Sequence, residues 1–233
     1  MAINFNRRST EKELIDYPAD KTEIVKNLKE LDTFNKITGN NLVVLKKIEN
    51  LITDRNKKYH LADLGCGGGQ FLLDAYEYAK KHNLNLKLTG VDNNNIASNY
   101  FKERIKNIPE IISIESDYKN FLNENKTGID FIYSSLFCHH LNNEELLELI
   151  NQAFELKATL IINDLLRSKA AYYAAKLLTT LFRGTRLARN DGPLSVLRAF
   201  TEKEITDLTI KANSCSSFFY RISFFRFLLI IKP

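Results

Sequence analysis

Asp63-Leu64-Gly65-Cys66-Gly67-Gly68-Gly69 is the stretch on which the reading of this 233-residue chain turns. Before it, His60 to Leu64 is short and apolar enough for a buried strand. After it, Phe71, Leu72, Ala75 and Ala79 recur at helical spacing. Glycines between a strand and a helix let the backbone approach a ligand closely, because no Cβ intervenes. Two ligand classes use that device, dinucleotides and S-adenosylmethionine. The dinucleotide fingerprint G-x-G-x-x-G would need a third glycine where Gln70 stands. The spacing here is G-x-G-x-G with an acid two residues ahead, which suits an adenosine-binding loop with no pyrophosphate to cradle.

Downstream, strand and helix alternate. Leu86 to Asp92 reads as a second strand, followed by a helix holding Ile96 and Phe101. Ile111 to Glu115, Ile129 to Ser134 and Leu160 to Asp164 read as further strands, with a helix from Leu146 to Phe154. That order predicts a parallel sheet with helices on both faces. Asp92 closes the second strand, where a carboxylate can take two hydrogen bonds from a ribose diol. A helix N-cap is the plain alternative for it. Ser216 to Ser223 and Phe225 to Lys232 are too close together for a crossover and read as an antiparallel pair.

Upstream, residues 1–55 read as helical. Thr10-Glu11-Lys12-Glu13 has the capping-box form, and Asp20-Lys21-Thr22-Glu23 offers a second start after Pro18. Ile24, Leu28, Leu31 and Phe34 follow at helical spacing, with Gly39 placed to end the helix; Leu42, Leu45, Ile48 and Ile52 make another. These segments precede the first strand and are expected to form a cap (1–55) over one globular domain (56–233), with Tyr17 a candidate to pack near the cofactor. The connection 165–200 is long for a crossover and is expected to be a substrate lid. It divides into a helix from Ala170 to Phe182 and a loop holding Gly184, Asn190, Asp191, Gly192 and Pro193.

The region from Tyr59 to Asp164 resembles the class I S-adenosylmethionine-dependent methyltransferase family. Asp63 to Gly69 matches its glycine-rich first motif, Asp92 its acidic ribose-binding position, and Asp117-Tyr118 its adenine-contacting position. Asp130-Phe131-Ile132-Tyr133-Ser134-Ser135-Leu136 with His139-His140-Leu141 resembles the fourth-strand motif of small-molecule methyltransferases. The resemblance implies a doubly wound, Rossmann-like α/β fold with seven strands, mostly parallel. It also implies a cofactor set of Asp63, Gly65, Cys66, Gly67, Gly69, Asp92, Asn93, Asp117, Tyr118, Ser135 and Leu136. Asn163-Asp164-Leu165, Tyr172-Tyr173, Asp191-Gly192-Pro193 and Arg198-Ala199-Phe200 are similar to methyltransferases beside bacterial polyketide-type pathways. That likeness points to an aromatic, polyketide or quinone-like acceptor of secondary metabolism.

Methyl transfer from a sulfonium needs alignment above all, and orientation can lower the barrier by ~7–11 kcal/mol. A phenol or enol acceptor also gains from a base. His139 and His140 follow the fourth strand at the edge where open sheets bind ligands, and either is a candidate for that base, with packing or pocket shape as the alternative. Asp164, Arg167, Asp191 and Arg198 are candidates to hold the acceptor; an Arg–Asp pair fixing the lid fits them equally well. Tyr172 and Tyr173 suit helix packing better than substrate stacking. Leu177, Leu178, Leu181, Phe182 and Leu194 are expected to turn several apolar side chains into an enclosed acceptor pocket.

Other chemistries are disfavoured. The Asn/Asp-Pro-Pro-aromatic motif of amino-group methylation is absent after the fourth strand. Cys138 sits between Phe137 and His139 without the proline of a cytosine-C5 nucleophile, and reads as a packed thiol. No metal-ligand spacing is visible. Net charge is +5 with a sequence pI near 8.9, but the basic residues are scattered, which argues against nucleic acid. Cys66, Cys138 and Cys215 suggest no disulfide framework. Met1 to Thr10 lacks an apolar signal core, and Arg221 and Arg226 interrupt the apolar stretch 218–231, so a cytoplasmic protein without membrane insertion is expected. RNA or protein methylation, and a non-catalytic cofactor-binding protein, stay open as alternatives; oligomeric state is not written in the sequence.

Overall fold

The computed structural model describes residues 3–181, 184–212, 216–222 and 225–233. Phe182, Cys215 and Ser223 of the readings above lie outside them. After a short 3-10 turn at Leu14–Asp16, the elements in chain order are α1 Lys21–Thr38, α2 Asn40–Leu51, β1 Tyr59–Leu64, α3 Gln70–His82, β2 Leu86–Asp92 and α4 Asn95–Ile105. There follow β3 Ile111–Glu115, α5 Tyr118–Glu124, β4 Phe131–Ser135, α6 Asn143–Glu155 and β5 Thr159–Leu165. The chain finishes with α7 Lys169–Leu181, α8 Arg186–Arg198, α9 Glu202–Lys211, β6 Ser216–Arg221 and β7 Arg226–Lys232.

Among the described residues these strands make a seven-stranded sheet in the order β3-β2-β1-β4-β5-β7-β6. All neighbours are parallel except β7, which runs antiparallel to both β5 and β6. This is the mostly parallel, doubly wound sheet expected from the alternation. Chain order reverses between β1 and β4, and crevices at such a switch point open at the carboxyl ends of the strands. Strand ends differ from the sequence reading by a residue or two.

Two apolar layers hold the sheet. Phe71, Leu72 and Ala75 of α3 and Phe101 of α4 pack with Leu61, Tyr133 and Leu228 on one face. Phe121 of α5, Leu146, Leu149 and Ile150 of α6, and Ile205 of α9 cover the other with Leu160 and Phe227. Val44, Leu45 and Ile48 of α2 belong to the first layer. The helical periodicity of 40–51 therefore marks a face packed on the sheet itself. Only the chain before it lies over the top.

That upper chain is built in two ways. Asp20 caps α1, its side chain accepting from the Thr22 and Glu23 N–H groups, and Gly39 ends the helix at φ 64°. Ile24 and Leu28 form a small separate cluster with Ala97 and Leu187. Thr10 to Glu13, expected to start a helix, instead runs non-helically into the Leu14–Asp16 turn, where Glu13 and Asp16 close the capping box. Ser9 N–H donates to Leu197 O, tying this strap to α8. The propensity signal was local; contacts to α8 and to the loop after β4 decided the conformation.

The long insertion is a helical pair, α7 and α8. The loop expected around Asn190 to Pro193 is helical: Thr185 caps α8 by accepting from Ala188 N–H, and Pro193 sits inside it. Leu187, Leu194 and Val196 bury the helix and outweigh the helix-breaking residues. The expected inward apolar face of α7 is not found: Leu177 and Leu181 are 64% and 67% exposed, while Leu194 is buried. No helix among the described residues is long and apolar enough to cross a membrane.

Candidate active site

The glycine loop turns where β1 meets α3. Gly65 and Cys66 N–H donate to Val91 O at 2.8 and 3.1 Å, and Gly67 N–H donates to Asp92 Oδ2 at 2.8 Å. Gly69 has φ 72°, and a Cβ there would overlap the Phe101 ring, so both backbone shape and packing require glycine. Asp92 also accepts from Asn94 N–H at 2.8 Å. Burial pushes the Asp92 carboxyl up, against the pull of those two N–H groups. Asp63, buried in β1, is held well above the usual carboxylate range by burial and by Asp92, and its Oδ1 has no partner among the described residues.

Other members of the expected cofactor set divide. Cys66 is a free thiol raised well above its ordinary value by burial. Asn93 is exposed; its neighbour Asn94 caps α4. Asp117 caps α5 by accepting from Lys119 N–H at 2.8 Å, and Tyr118 is buried, its hydroxyl without a partner among the described residues. Ser135 ends β4, and Leu136 takes a left-handed φ of 51°, its N–H on Asn163 O at 3.1 Å. A branched side chain at positive φ carries strain, which is common where a chain reverses beside a ligand. Leu28 of α1 packs over Gly67; Tyr17, the residue expected near the cofactor, is 53% exposed.

Directly after β4, a 3-10 turn at Cys138–His140 carries both histidines. His139 is buried at the end of β5, its Nδ1 2.8 Å from Asp164 Oδ1 and its Nε2 3.5 Å from Glu13 Oε1. His140 Nε2 lies 3.7 Å from Glu13 Oε2, and its Nδ1 3.6 Å from Asp16 Oδ1. Burial opposes a charge on His139, but Asp164 and Glu13 outweigh it and raise its pKa to about 9. Burial and the charged His139 push His140 down to about 4. Burial likewise opposes the charges of Asp164 and Glu13, and His139 holds both below the usual carboxylate range.

Glu13 escaped the sequence reading, which used it only as a local cap. The residues expected to hold an acceptor are gathered here too, bonded to the strap. Asp191 accepts from Leu14 and Ile15 N–H at 2.7 and 3.0 Å. Arg198 donates to Glu11 O at 2.9 Å and His140 O at 3.2 Å. Arg167 donates to Phe5 O, Ala199 O and Glu204 Oε1 at 3.0, 2.6 and 2.6 Å. Arg8, unmarked in the sequence, donates to Leu141 O and His139 O at 2.7 and 2.9 Å and lies 3.6 Å over the Phe200 ring. Tyr172 packs edge-on against Phe5, and Tyr173 is exposed. Glu13, His139 and His140 also present ligand atoms within 4.8 Å of one another, the donor types of a divalent-metal site. Arg198 Nε, 3.8 Å from Glu13 Oε1, already supplies a positive charge there, which favours a proton network over an ion.

One family model spans the glycine loop, Asp92 at the end of β2 and the histidine pair. Residues 61–158 match that family model, described as a methyltransferase domain. The chain is similar in fold across nearly its whole length to the plantazolicin methyltransferase BpumL, solved with a triazolic desmethylPZN analog and SAH. Identity is 18%, covering 94% of this chain and 93% of that one, with a TM-score of 0.69. A SAM-dependent methyltransferase from Aquifex aeolicus is similar at 18% identity over 92% and 98% of the two chains, TM-score 0.61. Human N-acetylserotonin methyltransferase in complex with SAM is 14% identical over 92% of this chain and 56% of that one, TM-score 0.62. No curated protein matches the chain in sequence.

Proposed function

We propose that this enzyme transfers a methyl group from S-adenosylmethionine to oxygen or carbon of a small aromatic, polyketide or quinone-like acceptor, a reaction of secondary metabolism. The observation that carries the reading is the buried His139–Asp164 pair, with His140 beside it, at the switch-point edge and under the strap. The cofactor fits the residues present: a glycine backbone with no Cβ in the way, a carboxylate at the end of β2 for a ribose diol, and the unpartnered Asp63 Oδ1. When bound, S-adenosylmethionine supplies an already activated methyl on a sulfonium.

The chain's own residues then have three tasks. Asp92 and the glycine loop fix the donor, so that the attack line is set by alignment. The strap, α1 and α8 exclude water from the acceptor. His140, neutral at pH 7, would take the acceptor's proton and leave a nucleophile for the activated methyl that the bound cofactor would supply. His139 stays charged between Asp164 and Glu13 and orients the pair. Arg167, Asp191 and Arg198 act here as lid-fixing groups that shape the acceptor's entrance.

The test is isotope-labelled methyl transfer to a panel of phenols and enols, with S-adenosylhomocysteine binding followed in parallel. His140→Ala should lower transfer by roughly 10²–10⁴-fold, the usual worth of a positioned base, and leave S-adenosylhomocysteine affinity within twofold. Label appearing in RNA or protein, and in no small acceptor, would overturn the small-molecule reading. Absence of S-adenosylhomocysteine binding would overturn the enzyme's cofactor.

A further inference from the structure

Arg226 opens β7 opposite Leu165, the last residue of β5, so it stands at the edge where the parallel strands end. Side chains alternate along a strand. Arg226 therefore shares its face with Leu228 and Ile230, and with Leu61, Tyr133 and Ile161 of the neighbouring strands. By the same alternation Asp63 and Asn163 point to that face. A polar row thus crosses β1, β4, β5 and β7 at the ligand-binding edge, beneath an otherwise apolar layer.

The row is unsatisfied in a specific way. Arg226 is 2% exposed, yet its Nε and Nη1 have no acceptor among the described residues. Asp63 Oδ1 and Asn163 Oδ1 have no donor, while Asn163 Nδ2 donates to Tyr133 Oη at 3.2 Å. Burial lowers the Arg226 pKa, and Tyr133 and Asp164 oppose it. Asp164 Oδ1, however, is occupied by His139 Nδ1 and Leu165 N–H, and its Oδ2 by His139 N–H. The other buried arginines differ. Arg167 and Arg198 spend their donors on carbonyls and carboxylates of the strap, α9 and the histidine turn. A buried guanidinium is kept only where an anion pairs with it, and its planar fork suits a carboxylate.

We propose that Arg226 is a carboxylate-binding residue of the ligand pocket. The inference rests on the reading of the enzyme as an S-adenosylmethionine-dependent methyltransferase. Two ligands there can bring the carboxylate: the methionyl end of the cofactor, and an acidic acceptor. Arg167 and Arg198, which the sequence suggested for an acidic acceptor, are committed elsewhere, and of the buried arginines among the described residues Arg226 has donors to offer.

Arg226→Met keeps the length and removes the charge. If the arginine serves a ligand, the thermal midpoint of the free protein should stay level or rise, because an unpaired buried charge has gone; a structural arginine would lower it. Calorimetry then distinguishes the sources. S-adenosylhomocysteine should bind the wild type more than tenfold tighter than 5′-methylthioadenosine, which lacks the whole amino-acid end, and the variant should narrow that gap at least tenfold if the carboxylate is the cofactor's. If the acceptor brings it, the gap survives, but the preference for benzoate over benzamide in protein saturated with S-adenosylhomocysteine disappears. A gap and a benzoate preference both unchanged in Arg226→Met would overturn the assignment, as would a lowered midpoint. Failure of the wild type to bind S-adenosylhomocysteine would fell the methyltransferase reading instead, and benzoate titrated alone would still decide Arg226.

Discussion

His139 Nδ1 lies 2.8 Å from Asp164 Oδ1, and the far side of the same ring faces Glu13, a residue of the N-terminal strap. One imidazole therefore joins β4, β5 and the strap. It also sets a pH window. His139 is raised to about 9, so the folded protein binds more protons than the unfolded chain between roughly pH 6.5 and 9, and stability falls as pH rises through that range.

His140 has the opposite sign. Its value of about 4 lies below that of the unfolded chain, so stability falls as pH drops from about 6.5 toward 4. The expected thermal midpoint is maximal near neutral pH, with a loss on each side. Differential scanning calorimetry across pH 4–10 checks it, in steps of about one unit. His139→Asn should flatten the alkaline limb and His140→Asn the acid limb; limbs unchanged in both variants would refute the assignment.

Glu13→Gln keeps the size of the side chain and removes its charge. The His139 pKa should fall, because one of the two carboxylates facing it is gone, with Asp164 still in place. Proton-detected titration of the imidazole reads this directly. The S-adenosylhomocysteine affinity should stay within about twofold, since Glu13 contacts the histidine turn and α8 and not the glycine loop. A His139 pKa that does not move would remove Glu13 from the network.

Asp92→Ala deletes the acceptor for the Gly67 and Asn94 N–H groups, as well as the proposed ribose partner. Hydrogen bonds to a charged acceptor are worth about 1.5–3 kcal/mol each. Calorimetry should show S-adenosylhomocysteine bound at least tenfold more weakly. Unchanged affinity would contradict the ribose assignment.

Truncation should separate the strap from the sheet. Removing residues 1–38 takes away the strap and α1, whose buried apolar cluster is small, and should leave a folded domain that melts lower and retains cofactor product poorly. Removing residues 1–55 also takes Val44, Leu45 and Ile48 from the layer over β1 and β4. Cutting even one such side chain to alanine costs about 2–5 kcal/mol, against a net stability of about 5–15 kcal/mol. The shorter fragment should show no cooperative melt by circular dichroism. A cooperative melt would mean that α2 is dispensable.

What the sequence determined by itself was local or periodic. The apolar runs of 60–64, 86–92, 111–115, 129–134 and 160–164, with helical spacing between them, specified a parallel sheet, because strands buried on both faces leave that signature. Gly65, Gly67 and Gly69 marked the ligand loop, because positive φ and close packing exclude other residues. His139, His140 and Asp164 were legible as candidates through their place at strand ends, and the fold brings the three together. Tertiary structure alone decided the rest. Amphipathic periodicity shows that a helix has an apolar face but not what covers it, so α2 read as a cap and α7 as an inward wall. Gly192 and Pro193 signal a loop in isolation, and the buried side of α8 overrode them. Glu13 and Arg8 acquire meaning only where the strap lays them on the histidine turn, far off along the chain. Arg226 read as an interruption in an apolar run; only the burial of its strand left its donors without partners, and contacts of that range carry no sequence spacing to detect.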